Sequence, residues 1–383
     1  MYMHEYSRCA CRSPETTDPC SASDRAGANL ASCDAKLCHV WELPLRRVKR
    51  RHVRRRPPPA QDVTLMKEFF GLRCQYEDMS PVLIPRGYTK DFIDGKISQE
   101  SQLEGMYKSF KNVSAESEVV VLEGTGHTAV GSIVNLNNVQ VAKALGADMV
   151  LVANGGLGSA YDELELNRCM CEKYGVTVRG VVLNKVVPDK IEMVKEYFGK
   201  LLHSWQVPLL AVVPDEPYLG RPSLVDIEKV FGTKLLAGFG RRHEPHYSIK
   251  HTLMVATGLR VFLEKIEGAP ENPLVVTHCT RTDIILGFLA HAQKLKEARG
   301  KHFGGALVLT GQNRKPLQYV VDLLKTHDVP VILSGESTFN TMDKIRSYTP
   351  KLHKDDLVRV RLAVSHYEPY VDFDTLLGGG PGA

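Results

Sequence analysis

No apolar run in the 383 residues approaches the ~18 that a membrane-spanning helix needs, so such a span is excluded. The longer runs, such as Val119–Leu122 and Met149–Ala153, have the length of buried strands. Also missing is any G-x-x-x-x-G-K-[ST], the loop whose lysine and hydroxyl hold nucleotide phosphates and their metal. No two of the nine cysteines stand C-x₂-C apart, which removes the spacing that makes a zinc site convincing. Their odd number and scatter argue for a reducing compartment, cytoplasmic or organellar. An excess of positive charge is missing too, once the first 60 residues are set aside. Those hold 12 Lys/Arg against 6 Asp/Glu, and the rest of the chain holds 37 against 38. The net charge of +5 therefore gives no ground for a nucleic-acid partner.

What is present falls into a leader and two patterned stretches. Residues 1–60 lack strong apolar periodicity and end in Arg46-Arg47-Val48-Lys49-Arg50-Arg51-His52-Val53-Arg54-Arg55-Arg56, then three prolines. Eight like charges in eleven positions repel one another, so a disordered leader is expected. Three functional readings stand beside it. Cys9, Cys11, Cys33, Cys38 and His39 could hold zinc, the basic run could contact nucleic acid or serve as a nuclear address, and the whole could be an organelle transit peptide. Six acidic residues count against the last.

From Asp62 to about residue 240, helical and extended patterns alternate. Helices are expected over 63–70, 100–113, 137–145, 161–174 and 189–202, and strands over 118–122, 148–152, 178–183 and 207–213, with 80–87 extended between prolines. The strands are continuous apolar runs and not alternating ones, as in a sheet covered on both faces. The fold class is α/β, a doubly wound, mostly parallel sheet.

Ligands of such sheets sit beyond the carboxyl ends of the strands. Four clusters fall there: Glu123-Gly124-Thr125-Gly126-His127, Asn154-Gly155-Gly156-Leu157-Gly158-Ser159, Asn184-Lys185-Val186 and Pro214-Asp215. Glu123, just past a buried strand, suits Mg²⁺ held directly or through water, or else caps the next turn. Gly124, Gly126, Gly155, Gly156 and Gly158 let backbone N–H groups approach a phosphate, or simply serve turns. Asn184 carries the paired donor and acceptor that read a base edge, and Lys185 can pack its stem beneath the ring. Together the clusters predict a nucleotide-like pocket. Gly124-Thr125-Gly126-His127-Thr128-Ala129 also matches the dinucleotide fingerprint formally. However, Asp148, the acid near the expected distance, begins the next strand where it should end it.

The string Glu123–His127, Gly131-Ser132-Ile133-Val134-Asn135-Leu136-Asn137, Ala153–Ser159 and Asn184-Lys185 resembles the dethiobiotin-synthetase-like ATPase domain in the form fused to a DRTGG domain. That pair also makes up the amino-terminal regulatory half of long phosphate acetyltransferases. The resemblance runs from about Asp62 to Leu377. It implies ATP and Mg²⁺ as ligands, with Glu123 as the Mg²⁺-associated acid and Asn184 as the adenine contact. The strand-end clusters themselves place Gly124, Thr125, Gly126, Asn154, Gly155, Gly156, Lys185, Pro214 and Asp215 around the nucleotide. The family opens with a strand, a Gly-Lys-Thr loop and a helix, for which this chain has the unrelated leader. Divergence to a pseudo-ATPase is one origin; a leader translated from ordinarily non-coding sequence is the favoured one, and it is tested by the transcript's 5′ end.

Beyond a polar hinge at 238–246 alternation resumes. Strands are expected over 274–277, 306–310 and 329–334, and helices over 284–298, 316–326 and 340–347. This stretch resembles the DRTGG domain, with Thr280-Arg281-Thr282-Asp283 at the signature loop and Leu309-Thr310-Gly311 at the second. It departs in having Thr280 where the signature has Asp, and Gln312 in place of the last Gly. Thr282 or Asp283 is an N-cap candidate, and the helix start beside Arg281 an effector-anion candidate, with a capping box and a solvated arginine as the plain alternative. His278 and Cys279 do not form a nucleophile pair, since neighbours at a strand end point to opposite faces. The aromatic, acidic tail after residue 359 packs back or meets a partner.

The expected domains are 1–60 (leader), 61–240 (nucleotide-binding), 241–350 (DRTGG-like) and 351–383 (tail). The favoured function is nucleotide sensing with little or no catalysis, in a protein that assembles with itself or with an acyl-phosphate enzyme. The alternatives are an ATP- and Mg²⁺-dependent carbon–nitrogen ligase, which would need the absent lysine, and a scaffold whose glycine loops are only turns.

Overall fold

Side-chain caps and left-handed glycines bound the helices that carry the strand-end loops. Asn137 and Gln140 form a reciprocal capping box at the start of one helix, which stops at Gly146 with φ 66°. Gly175 and Gly232 end two others in the same way. The computed structural model describes residues 7–12, 36–39, 61–243, 246–300 and 302–378. They divide into two units, Met1–Glu216 with Val360–Ala383, and Pro217–Arg359.

In chain order the first unit holds β1 (Ser7–Arg12), β2 (Lys36–His39), α1 (Gln61–Phe69), α2 (Tyr76–Met79), α3 (Tyr88–Ile93), α4 (Gln99–Ser114), β3 (Val119–Glu123), α5 (Asn138–Leu145), β4 (Asp148–Asn154), α6 (Gly158–Tyr174), β5 (Val178–Val186), α7 (Ile191–His203) and β6 (Leu209–Pro214). The sheet order is β2-β3-β1-β4-β5-β6. β2 with β3, β4 with β5 and β5 with β6 are parallel. Met149, Leu151, Ala153, Val181 and Leu183 pack with Ala160, Leu164 and Phe198 in the main core.

The leader thus contributes two strands, where its composition predicts none. The basic run 46–56 and the side chains of the cysteine set proposed for zinc lie outside the described residues. β1 runs antiparallel to both neighbours, with Arg8 opposite Glu123 and Cys9 opposite Met149. The unpaired ladders of β3 and β4 supply a pairing partner that a local charge argument does not see. A strand carrying a phosphate loop would have to run parallel with β3 and β4. β1 runs the other way.

The second unit holds α8 (Leu224–Phe231), β7 (Leu235–Ala237), β8 (Leu253–Met254), α9 (Leu259–Glu267), β9 (Leu274–His278), α10 (Thr282–Arg299), β10 (Ala306–Thr310), α11 (Gln318–Lys325), β11 (Val331–Leu333) and α12 (Thr338–Ser347). Its sheet runs β7-β11-β10-β9-β8, with β7 antiparallel to β11 and the other pairs parallel. β9 and β10 are buried almost throughout because alternate residues serve two cores. Val275, Leu307 and Leu309 join Ile285 and Phe288, while Leu274, Val276, Ala306 and Val308 join Leu224, Ile227 and Ile345.

The border therefore falls at 216/217, and not at 240/241 as patterning alone suggests. Leu224, Ile227 and Leu235 fill the second core, and β7 pairs with β11. The tail is likewise no separate piece. α13 (Leu357–Tyr367) contains the second border, and from Val360 the chain, with α14 (Phe373–Leu377), belongs to the first unit. Among the described residues no helix is long and apolar enough to cross a membrane.

Candidate functional site

Register brings the predicted clusters to one edge of the first sheet. Asn154 at the end of β4 stands opposite Asn184 on β5, and Val186 stands opposite Pro214 on β6. The Gly155 N–H donates to the Asn184 carbonyl at 2.6 Å, and the Asp215 N–H donates to the Val186 carbonyl at 2.8 Å. Glu123 closes β3 and is 9% exposed.

The glycines divide into those the fold requires and those it does not. A Cβ on Gly155 would meet the Val186 Cα at 2.5 Å, and one on Gly124 would meet the Asn138 side chain at 2.5 Å. Gly126 sits at φ +62°, in the left-handed region. These three serve packing and turning. Gly156 and Gly158 have ordinary φ values; a Cβ on Gly156 would meet only the Ser159 Oγ at 3.7 Å, and one on Gly158 nothing within 4 Å. Both flank the start of α6, whose N-cap is Leu157 with no side-chain cap. The first intrahelical bond there is Tyr161 N–H to the Leu157 carbonyl, so the preceding N–H groups remain open to an anion.

Three asparagines pin the loop after β3. Asn137 caps α5. The Asn138 Nδ2 donates to the carbonyls of Thr125 (3.1 Å) and His127 (2.9 Å). Its Oδ1 is buried and without a partner among the described residues. On α6, the Asn167 Oδ1 accepts from the Thr128 N–H at 2.9 Å while its Nδ2 donates to the Glu163 carbonyl at 2.8 Å. Asn138 and Asn167 carry no motif signal, because an asparagine on a helix reads as an ordinary polar residue.

The tail supplies residues that the sequence did not assign to the edge. The Tyr367 hydroxyl donates to the Asn184 Oδ1 at 2.8 Å, and the His366 Nε2 donates to the Pro214 carbonyl at 2.9 Å. The Asp372 N–H donates to the Leu210 carbonyl at 2.9 Å. Lys185, the expected partner beneath a base, is exposed and left-handed at φ 54°, with its N–H bonded to the Asn184 Oδ1 at 2.9 Å.

Among the described residues no three His, Cys, Asp or Glu side chains gather as a metal centre. Glu123 is thus not part of a three-residue cluster among the described residues. That fits Mg²⁺, which keeps most of its shell for phosphate oxygens and water and takes one or two carboxylates. The unpartnered Asn138 Oδ1, at the start of α5 and packed against Gly124, is a second oxygen beside that loop.

In the second unit Thr280-Arg281-Thr282-Asp283 joins β9 to α10. The N-cap is Arg281 and not Thr282 or Asp283, and it has no side-chain cap. Arg281 is partly exposed and is also paired. Its Nε and Nη2 hold both Asp283 oxygens at 2.9 and 2.8 Å, and Nη2 also donates to the Thr257 carbonyl at 2.8 Å. The hydrogen bond from Arg281 holds the Asp283 carboxyl below its usual range. Cys279 is 1% exposed and burial raises its thiol, so it is no nucleophile.

The AAA domain family matches residues 50–223 and the DRTGG domain family residues 227–348. Over 82% of its length the chain is 24% identical to the phosphate acetyltransferase of Nitratidesulfovibrio vulgaris, of which it covers 44%. It is also 24% identical to that of Pseudomonas putida, over 73% of the chain and 40% of the relative. An ATP-dependent dethiobiotin synthetase of Xanthomonas oryzae pv. oryzae is 26% identical over 37% of the chain and 62% of the relative. The chain spans less than half the length of these phosphate acetyltransferases. It carries a dethiobiotin-synthetase-like AAA domain followed by a DRTGG domain.

Proposed function

We propose that the first unit binds a nucleotide, with its phosphates at the start of α6 and its base at Asn184, and that the chain uses this binding to regulate and not to catalyse. The carrying observation is the pair Gly156 and Gly158, roomy positions that packing does not require, beside the uncapped N–H groups of α6. Glu123 would associate Mg²⁺ with those phosphates. The reading of little or no catalysis is supported by the absence of any G-x-x-x-x-G-K-[ST] in the 383 residues and by the antiparallel direction of β1. The partner proposed is a second copy of this chain or an enzyme of acyl-phosphate metabolism, in keeping with the phosphate acetyltransferase relatives.

Calorimetric titration with ATP and ADP, with and without Mg²⁺, tests the reading. Binding that tightens with Mg²⁺ and weakens in Glu123→Ala is the expected result; no heat with either nucleotide overturns it. The likeness to dethiobiotin synthetase favours a second reading, an ATP-dependent ligase. Sustained phosphate release from Mg-ATP would turn the choice that way.

A further inference from the structure

The Asn184 amide is not free to read a base with both its atoms. The Lys185 backbone N–H, 2.9 Å away, can only donate, so the atom it meets is the oxygen. The Tyr367 hydroxyl meets the same oxygen at 2.8 Å and therefore donates as well. Two donors occupy the two lone pairs of Oδ1. The Nδ2 has no partner among the described residues and is not among the buried unpartnered atoms, so it faces solvent as a donor. The arrangement is fixed from both sides. Lys185 holds a left-handed φ of 54° that a non-glycine residue adopts only under local constraint. The tail that brings Tyr367 is anchored by His366 on Pro214 and by the Asp372 N–H on Leu210.

We infer that Tyr367, from the carboxyl-terminal segment, sets the base preference of the nucleotide site by making Asn184 a donor-only reader, so that the site takes a keto base over an amino base. This rests on the proposed nucleotide site. Adenine offers a donor, the six-amino group, beside a ring-nitrogen acceptor, and full recognition by asparagine uses oxygen and nitrogen together. With its oxygen occupied, Asn184 can serve only the acceptor. On the edge that carries N7, a six-keto purine offers acceptors at both O6 and N7, and either satisfies Nδ2 without leaving a donor facing a saturated oxygen.

Titration of the full chain with Mg-ATP and Mg-ITP, which share N7 and differ at C6 and N1, tests this in the wild type and in Tyr367→Phe, with a thermal melt as the check on folding. The wild type should bind ITP about three- to tenfold more tightly, the worth of one hydrogen bond. Tyr367→Phe frees one lone pair and should erase or reverse that ratio. A wild type that prefers ATP overturns the inference even if the variant does not fold. A ratio that Tyr367→Phe leaves unchanged overturns it while the nucleotide reading stands. Binding of neither triphosphate removes both.

Discussion

The two units treat their polar groups in opposite ways. On the first, side chains at the strand ends hold backbone carbonyls in place and leave donors over, at the start of α6 and at Asn184 Nδ2. In the second, charge is sealed inside. Arg359 is 0% exposed and meets Asp356 through Nε and Asp226 through Nη2, the latter at 3.1 Å. His246 meets the Asp356 carboxylate at 2.9 Å and the Tyr218 hydroxyl at 2.9 Å, while Tyr348 and Ser223 each donate to Asp226 at 3.1 Å. Even the exposed signature-loop arginine is taken up by Asp283. Charge enclosed in this way ties α8, the 246 turn and the start of α13 together. Charge and donors left open mark where a ligand is received.

The largest expected effect comes from opening the sealed network. Arg359→Met leaves two buried carboxylates short of their shared cation and should cost about 3–5 kcal/mol in urea unfolding. Acid opens the same network. Burial works to raise the Asp356 carboxyl, but the His246 hydrogen bond and the Arg359 charge outweigh it and hold the value down to about 2. A folded value below the unfolded ~3.9 means stability that is present above about pH 4 and lost as pH falls towards 2, about 2 kcal/mol in all. The urea midpoint should fall across that window, and Asp356→Asn should flatten this part of the profile.

The open edge should show the reverse behaviour. Gly155→Ala forces a Cβ onto Val186 and should destabilise by about 1–3 kcal/mol. Gly156→Ala should leave the melting temperature within a degree or two, yet weaken nucleotide binding about tenfold by holding the phosphates off the α6 N–H groups. Smallest is Arg281→Ala, which breaks a partly exposed pair and should change stability by less than about 1 kcal/mol.

The alternation of apolar runs made most strands and helices legible, and the loops after β3, β4, β5 and β6 stood out because a parallel sheet must end somewhere. Nothing local announces β1 and β2, which exist through pairing with β3 and β4 far along the chain. α8 and β7 fall within the 61–240 stretch that patterning assigns to the first domain, yet they fill the core and extend the sheet of the second unit, which local pattern does not record. Gly155 illustrates the limit at the site. Its glycine looked like a phosphate contact, and the backbone of Val186 accounts for it. Tyr367 lies 183 positions from Asn184, a separation at which no spacing rule operates.

Amide hydrogen exchange on the full chain, with and without saturating Mg-nucleotide, tests most directly the claim that the open edge receives the ligand and the sealed network does not. The account predicts added protection at 124–128, 156–161 and 184–187 and in the tail around Tyr367, with the segments around Asp226, His246 and Arg359 unchanged. Protection that appears instead around Asp226, His246 and Arg359, with the first unit's loops unaffected, would contradict it.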